Sequence, residues 1–196
     1  ADLRNADLSG TNRIVHASIA GAWCNDGTRW PADFDPERSG VIHVTNDYQR
    51  MQRPNQDLRA VDLRGHILAG GALFGAILEG VDLSGQFLVG ANLAGADMRH
   101  ASLHNANASG AVLREADLSG AVLRGARLRG ANLEKTSLVG ADLSGANLEA
   151  AVLRSVNLTD ANLTNADLTA ALLDGALLRG ADLSGARMGT KRFAQV

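Results

Sequence analysis

From Leu58 to Met188 an apolar residue recurs at every fifth position, 27 positions in a row, and all but Met98, Ala108 and Met188 are leucine. Two residues before the leucine stands mostly alanine, unbroken from Ala91 to Ala131 and again from Ala161 to Ala186. Two residues after it stands mostly glycine, so that 16 of the 22 glycines fall in this one phase. A strict period of five is hostile to both regular secondary structures. In an α-helix five residues advance about 500°, a net rotation of about 140°, so the leucines would spiral over every face and no apolar stripe would form. Each glycine would also cost roughly 1 kcal/mol relative to alanine. A flat strand fails on parity, because its side chains alternate with period 2 and every second leucine would point at solvent.

A bend inside each five-residue unit removes the conflict. Alanine and leucine then point inward, the Asp or Asn between them points outward, and a turn resets the phase. Glycine second after leucine suits a turn position that needs positive φ. Asn105, Asp160 and Asn165 occupy that position with access to the same region. His100, Glu115, Ala150, Ser155 and Ala170 fit it less well and are expected to adopt a different turn type.

Units such as Ala116-Asp117-Leu118-Ser119-Gly120 and Ala161-Asn162-Leu163-Thr164-Asn165 match the pattern A(D/N)LXX. On this pattern the chain resembles the pentapeptide-repeat family, continuously over residues 56–188. The resemblance implies an all-β fold, a right-handed quadrilateral β-helix (a solenoid) with four pentapeptides per coil. The 27 units then make six to seven main coils, and at a strand spacing of about 4.8 Å their stack is on the order of 30 Å long. Positions four units apart share a ladder, so Leu58, Leu78, Met98, Leu118, Leu138, Leu158 and Leu178 form one inner column. Ala108 lies between Leu88 and Leu128 in another, where a small void or a local inward shift is expected.

The pattern divides the chain into four parts. Residues 1–24 carry irregular repeats, with Leu3 and Leu8 followed by a one-residue slip to Ile14, Ile19 and Cys24. Residues 25–55 read as a non-repeat loop insertion holding Trp30, Phe34, Tyr48 and all three prolines. Residues 56–188 are the continuous solenoid, and 189–196 a short tail. The stretch from Thr28 to Gly40 resembles segments that interrupt or end the coils in family members. Trp30, Phe34 and Tyr48 either pack on an apolar patch or coil end, or project to contact a partner. The outward positions of Ile67, Phe74, Ile77 and Phe87 offer such a patch. The tail is too short for the C-terminal dimerisation helix of some family members, although Phe193 could cap the last coil. The expected state is a monomer or an end-to-end homodimer.

Catalytic chemistry finds no constellation. His66 falls in the inward alanine phase with Gln86 one coil on, which reads as a buried polar pair that satisfies itself. His100 and His104 near Asp97 form a thin metal signal without a supporting shell. Cys24 reads as a small buried hydrophobe. The glycines follow the five-residue period rather than a phosphate-binding spacing. No catalytic, metal or cofactor residue is assigned, and the chain is expected not to be an enzyme.

Asp62, Asp82, Asp142 and Asp182 line one face, with Ser102 and Val122 interrupting. The plain reading is that Asp and Asn solvate the outer surface. The alternative is an acidic stripe, since some family members resemble DNA in size and charge and bind DNA gyrase or topoisomerase IV. Over 56–188, however, 14 acids face 11 bases, a net of −3, and the arginines sit beside the acids. The whole chain carries a net charge of −2, which gives no basic patch for direct nucleic-acid binding. No run is apolar enough for a membrane span. The expectation is a non-catalytic scaffold or protein-interaction module, bacterial and cytoplasmic, starting within a repeat as a piece of a longer chain would. The runner-up is a gyrase-binding DNA mimic of the quinolone-resistance type.

Overall fold

The computed structural model of the chain describes residues 3, 6–10, 22–24, 28–32, 34–36, 42–43, 53–63, 66 and 68–189. Two compact units divide it: residues 1–49 with 64–67, and residues 50–63 with 68–196. Among the described residues there are strands and bridges but no helix.

In the second unit the chain comes back beside itself after every four pentapeptides. Parallel bridges join Asp57 to Ile77, Ile77 to Asp97, Asp97 to Asp117, and so on to Asn162 with Asp182. Two short strands, Asp167–Leu168 and Arg187–Met188, pair in parallel with the same offset.

One unit, Ala116 to Gly120, shows how the backbone is satisfied. The Ala116 N–H turns back to the Leu113 carbonyl at 3.1 Å. The Asp117 N–H reaches the previous turn, at the Ala96 carbonyl (2.9 Å). Leu118 and Gly120 donate to the next turn, at Ser137 and Val139 (both 2.8 Å). That leaves the N–H of Ser119, and the Asp117 carboxylate accepts it at 3.0 Å. In the same way Asn92, Asn107, Asn132, Asp142, Asn157, Asn162 and Asp182 each accept, on a side-chain oxygen, the N–H two residues on. Asp and Asn are therefore more than a solvated coat. They cap the one amide in five that the coil leaves without a backbone acceptor.

The leucines and alanines fill the interior. From Leu58 to Leu163 every leucine of the five-residue series is at most 2% exposed. Each such burial is worth about 1.5–3 kcal/mol. Ala108 is fully buried, and its N–H still reaches the next turn, at the Arg127 carbonyl (2.8 Å).

Two expectations need correction. His100, Glu115, Ala150, Ser155 and Ala170 do not adopt a different turn type: their φ values lie between 53° and 59°, in the same left-handed region as the glycines. The reason is the ladder. The N–H at this position donates to the next turn, as His100 does to Ser119 (3.0 Å) and Ala150 to Thr169 (2.8 Å), so changing the turn would break that bond. His66 does not take the buried place expected of it. His66 is exposed, whereas Gln86 is buried and donates from Nε2 to the Leu63 carbonyl at 2.9 Å. Its Oε1 has no partner. Thr136, in the same phase, does better: its hydroxyl donates to the equivalent carbonyl one turn earlier, that of Leu113, at 2.7 Å.

The first unit has a less regular ladder. Asp7 bridges Arg29 in parallel, and Trp23–Cys24 pairs in parallel with Ile42–His43. The offset changes from one of these pairings to the other, and neither matches that of the second unit. Thr28 donates its hydroxyl to the Leu3 carbonyl at 3.0 Å, and Ala22 and Cys24 are buried. The stretch expected as an insertion, 25–55, thus contributes ladder partners. Within the second unit, Arg53 and Asn55 already donate to Ala72 and Phe74 (both 2.9 Å). The five-residue register therefore begins before residue 56.

Candidate interaction surface

Trp30 and Phe34 stack on one another, with ring centroids 4.8 Å apart and planes 24° apart. A turn places them: the Phe34 N–H donates to the Pro31 carbonyl at 3.0 Å. Both residues are half-buried. Tyr48 lies outside the described residues, as do Ile14, Ile19, Ile67 and Phe193. In the second unit Phe74 and Phe87 are exposed, at 40% and 47%, with Val89 at 42%. Ile77 is half-buried.

The four stripe aspartates occupy varied surroundings. Asp82, Asp142 and Asp182 stand on one bridged ladder, separated by Ser102, Val122 and Asn162, and Asp62 is exposed. Asp142 accepts from Ser144 N–H (3.1 Å), Arg124 Nε (2.8 Å) and Asn162 Nδ2 (3.2 Å). Burial pushes its carboxyl up, but the bonds from Ser144 and Arg124 outweigh this and hold it below the usual range. Hydrogen bonds from Ser184 likewise lower Asp182. No two of the bridged stripe aspartates are ladder neighbours.

Opposite charges instead alternate along the ladders. Arg59, Glu79 and Arg99 stand at successive turns, with Glu79 3.7 Å from Arg59 and 3.6 Å from Arg99. Each arginine also grips the aspartate two residues earlier, Asp57 and Asp97, at 2.7 Å. The Arg59 hydrogen bonds lower the Asp57 carboxyl to about 2, and those from Arg99 lower Asp97. Arg114 faces Glu134 (3.6 Å), Arg129 faces Glu149 (3.2 Å), and Arg154 faces Asp174 (3.3 Å), each on the following turn. Exposed pairs of this kind contribute only about 0–1 kcal/mol each. Their effect is on the field, which they cancel locally. Stepping along the sequence by four units exposes the alternation. The glutamates Glu79, Glu134 and Glu149 are the members that a search for an acidic stripe passes over.

No metal cluster emerges among the described residues. His104 Nε2 lies 3.1 Å from Asn105 Nδ2, and Asp97 is committed to Arg99. Among the described residues no three His, Cys, Asp or Glu side chains are placed to hold a metal. Cys24 is buried.

Comparison with known proteins follows the same lines. No curated protein matches this chain. Among solved structures, HetL, a pentapeptide repeat protein involved in heterocyst differentiation regulation in Nostoc sp. PCC 7120, is 22% identical, with 74% of this chain and 90% of HetL covered and a TM-score of 0.47. A pentapeptide repeat protein of the Arabidopsis thaliana thylakoid lumen is 34% identical over 56% of this chain and 62% of its own, with a TM-score of 0.32. QnrB1, a plasmid-mediated fluoroquinolone resistance protein, is 22% identical over 70% of this chain and 73% of its own, with a TM-score of 0.31. The profile of the family "Pentapeptide repeats" matches in 8 copies, over residues 76–114, 116–154, 136–169 and 157–189. With the parallel ladder that closes every four units, the buried leucine series and that match, the chain belongs to the pentapeptide-repeat family and has its β-helix fold.

Proposed function

We propose that this chain is a non-catalytic scaffold or protein-interaction module, whose second unit is a right-handed, four-sided β-helix of six to seven main coils. The observation that carries the reading is the interleaving of opposite charges along the ladders, Arg59–Glu79–Arg99 and Arg114–Glu134 among them. Such a surface is polar and close to field-neutral. It is also preorganised, because the backbone on which the side chains stand is bonded from turn to turn, and a fixed surface loses less entropy on docking. The Trp30–Phe34 stack is the aromatic contact in this reading. Tyr48 joins it by sequence.

A gyrase-binding DNA mimic is the alternative, and it requires an uninterrupted negative face. One experiment reads both. Intact protein is titrated into a DNA gyrase supercoiling assay, with and without a fluoroquinolone, and is also used to capture partners from bacterial lysate beside a Trp30→Ala/Phe34→Ala variant. An interaction module leaves supercoiling unchanged at micromolar protein and retains a partner that the variant loses. Inhibition or drug protection at or below micromolar protein would replace this reading with the mimic. Capture of no specific protein by either form would count against the module.

A further inference from the structure

Along one side of the second unit the outward residues of successive turns are Phe87, Asn107, Arg127, Asn147, Asp167 and Arg187. Arg127 breaks the alternation of charges. From Arg59 onward, every described arginine except Arg127 and Arg179 lies within 3.6 Å of a carboxylate. Arg127 is exposed, and its two ladder neighbours, Asn107 and Asn147, carry no charge.

Those asparagines are held one way round. Oδ1 of Asn107 accepts the Ser109 N–H (3.2 Å) and hydroxyl (2.8 Å), and Oδ1 of Asn147 accepts the Glu149 N–H (2.9 Å). Each amide thus turns its oxygen to its own turn, and its NH2 meets no acceptor among the described residues. Three turns in succession present donors alone, a guanidinium between two amide NH2 groups, at steps of about 4.8 Å. The acids beside them are engaged elsewhere. Arg129 holds Glu149 (3.2 Å), while Arg187 (3.6 Å) and the Thr169 N–H (3.0 Å) hold Asp167. One turn before Asn107 the surface changes character: Phe87 and Val89 are exposed at 47% and 42%.

We infer that this side docks an extended acidic segment of another protein, with a carboxylate on Arg127 between the two amides and an apolar side chain on Phe87 and Val89. The inference deepens the interaction-module reading above and rests on it. Charge complementarity selects the occupant. A lone guanidinium flanked by neutral donors suits one carboxylate. A polyanion such as a nucleic acid would meet a unit whose 14 acids outnumber its 11 bases over residues 56–188. Spacing selects the pattern. Phe87 and Arg127 are two turns apart, about 10 Å. Same-face residues of an extended segment lie about 7 Å apart at two residues and about 13 Å at four, and the long Arg127 side chain takes up the difference.

The test selects a randomised library of peptides, each about a dozen residues long, on the immobilised full chain. A synthetic copy of the enriched sequence is then titrated by fluorescence anisotropy. The expected sequence carries Asp or Glu two or four residues from a large apolar residue. Arg127→Glu weakens its binding by about tenfold or more, and a lysine in place of the peptide's acid restores it. Phe87→Ser weakens it by about fivefold. Arg179→Glu, an equal change of charge on a different ladder, leaves it unchanged. All three positions are exposed, and thermal melts followed by circular dichroism check that each variant is folded. Enrichment of sequences without an acid, binding indifferent to Arg127→Glu, or an equal loss from Arg179→Glu would overturn the inference. So would a fluorescein-labelled oligothymidylate that binds as tightly as the peptide. A chain that selects no such peptide yet captures a protein through Trp30 and Phe34 overturns this inference alone and leaves the module standing.

Discussion

Gly120 and Gly140 stand one above the other in the same turn column, with φ of 67° and 63°. A Cβ added at Gly120 would lie 2.6 Å from Nδ1 of His100, one turn below, whereas one added at Gly140 meets nothing within 4 Å. The two glycines therefore separate a backbone cost from a packing cost. Alanine can hold the left-handed conformation here, as Ala150 and Ala170 do at 55° and 58°, at a cost of about 1 kcal/mol. Gly140→Ala should lose about that much. Gly120→Ala should lose the same and, in addition, the cost of swinging the exposed His100 imidazole off its rotamer, about 0.5–1.5 kcal/mol. In a His100→Ala background that additional loss disappears. Chemical denaturation of the native chain, both glycine variants, His100→Ala and the His100→Ala/Gly120→Ala double gives the coupling directly. Equal losses for the two glycine variants, or a His100–Gly120 coupling below about 0.3 kcal/mol, would refute the reasoning.

Other predictions concern polar groups. Asn157 caps its turn with bonds from the Thr159 N–H (3.1 Å) and hydroxyl (2.7 Å). Asn157→Ala should cost about 1 kcal/mol in a thermal melt and Asn157→Asp close to nothing, and equal losses would deny the capping role. Gln86→Met removes the buried, partnerless Oε1 while keeping side-chain volume. It also removes the Nε2 bond to the Leu63 carbonyl, so the two effects oppose and the net change should stay within about 1 kcal/mol of zero; a loss above about 2 kcal/mol would mean the amide is fully satisfied. Asp57, Asp97, Asp167 and Asp182 all titrate below their ordinary value when folded. Their stabilisation is complete above the unfolded value near pH 4 and is lost as pH falls through the folded ones, to about 2 for Asp57. The melting temperature should be flat between about pH 5 and 7 and fall between about pH 4 and 2; a flat profile down to pH 2 would contradict the assignment. Finally, Val112 and Val152 cannot cap, so the amides of Arg114 and Arg154 should exchange hydrogen about tenfold faster or more than those of Ser119 and Thr159.

Much of the second unit is legible in sequence because one physical constraint repeats in every unit. A period of five defeats helix and flat strand alike, so the bend, the inward leucines and alanines and the turn position follow from parity and glycine placement. Local preference, weighed alone, misjudges the turn at His100 or Ala150. The hydrogen bond that holds it comes from the following turn, remote in sequence, and it overrules the preference. His66 misleads for the opposite reason: its phase is that of the inward alanines, but its neighbourhood belongs to the first unit, where the period has already broken. The ladder of the first unit changes its offset from pair to pair, and beyond the irregular repeats of residues 1–24 no period marks it, so its pairings of Arg29 and Ile42 are hidden from a sequence reading. The interaction surface is half legible. Arginines beside acids are visible in the chain, but which acid faces which arginine emerges only at a step of four units.

That step matters for how the chain finds its own arrangement. Every unit offers the interior the same leucine and alanine, so a turn that closed one unit early or late would bury the same apolar groups. The core is blind to the error. The surface charges are not. Closing one unit late would set Arg99 against Arg124, Arg129 against Arg154, Arg154 against Arg179 and Glu149 against Asp174. Closing one unit early would set Arg99 against Arg114, Arg114 against Arg129 and Glu134 against Glu149. Like charges directly opposed across strands repel, so both misassemblies are penalised at several turns at once. Ion pairs too weak to hold the fold together can thus act as its proofreading, giving each otherwise interchangeable turn an address.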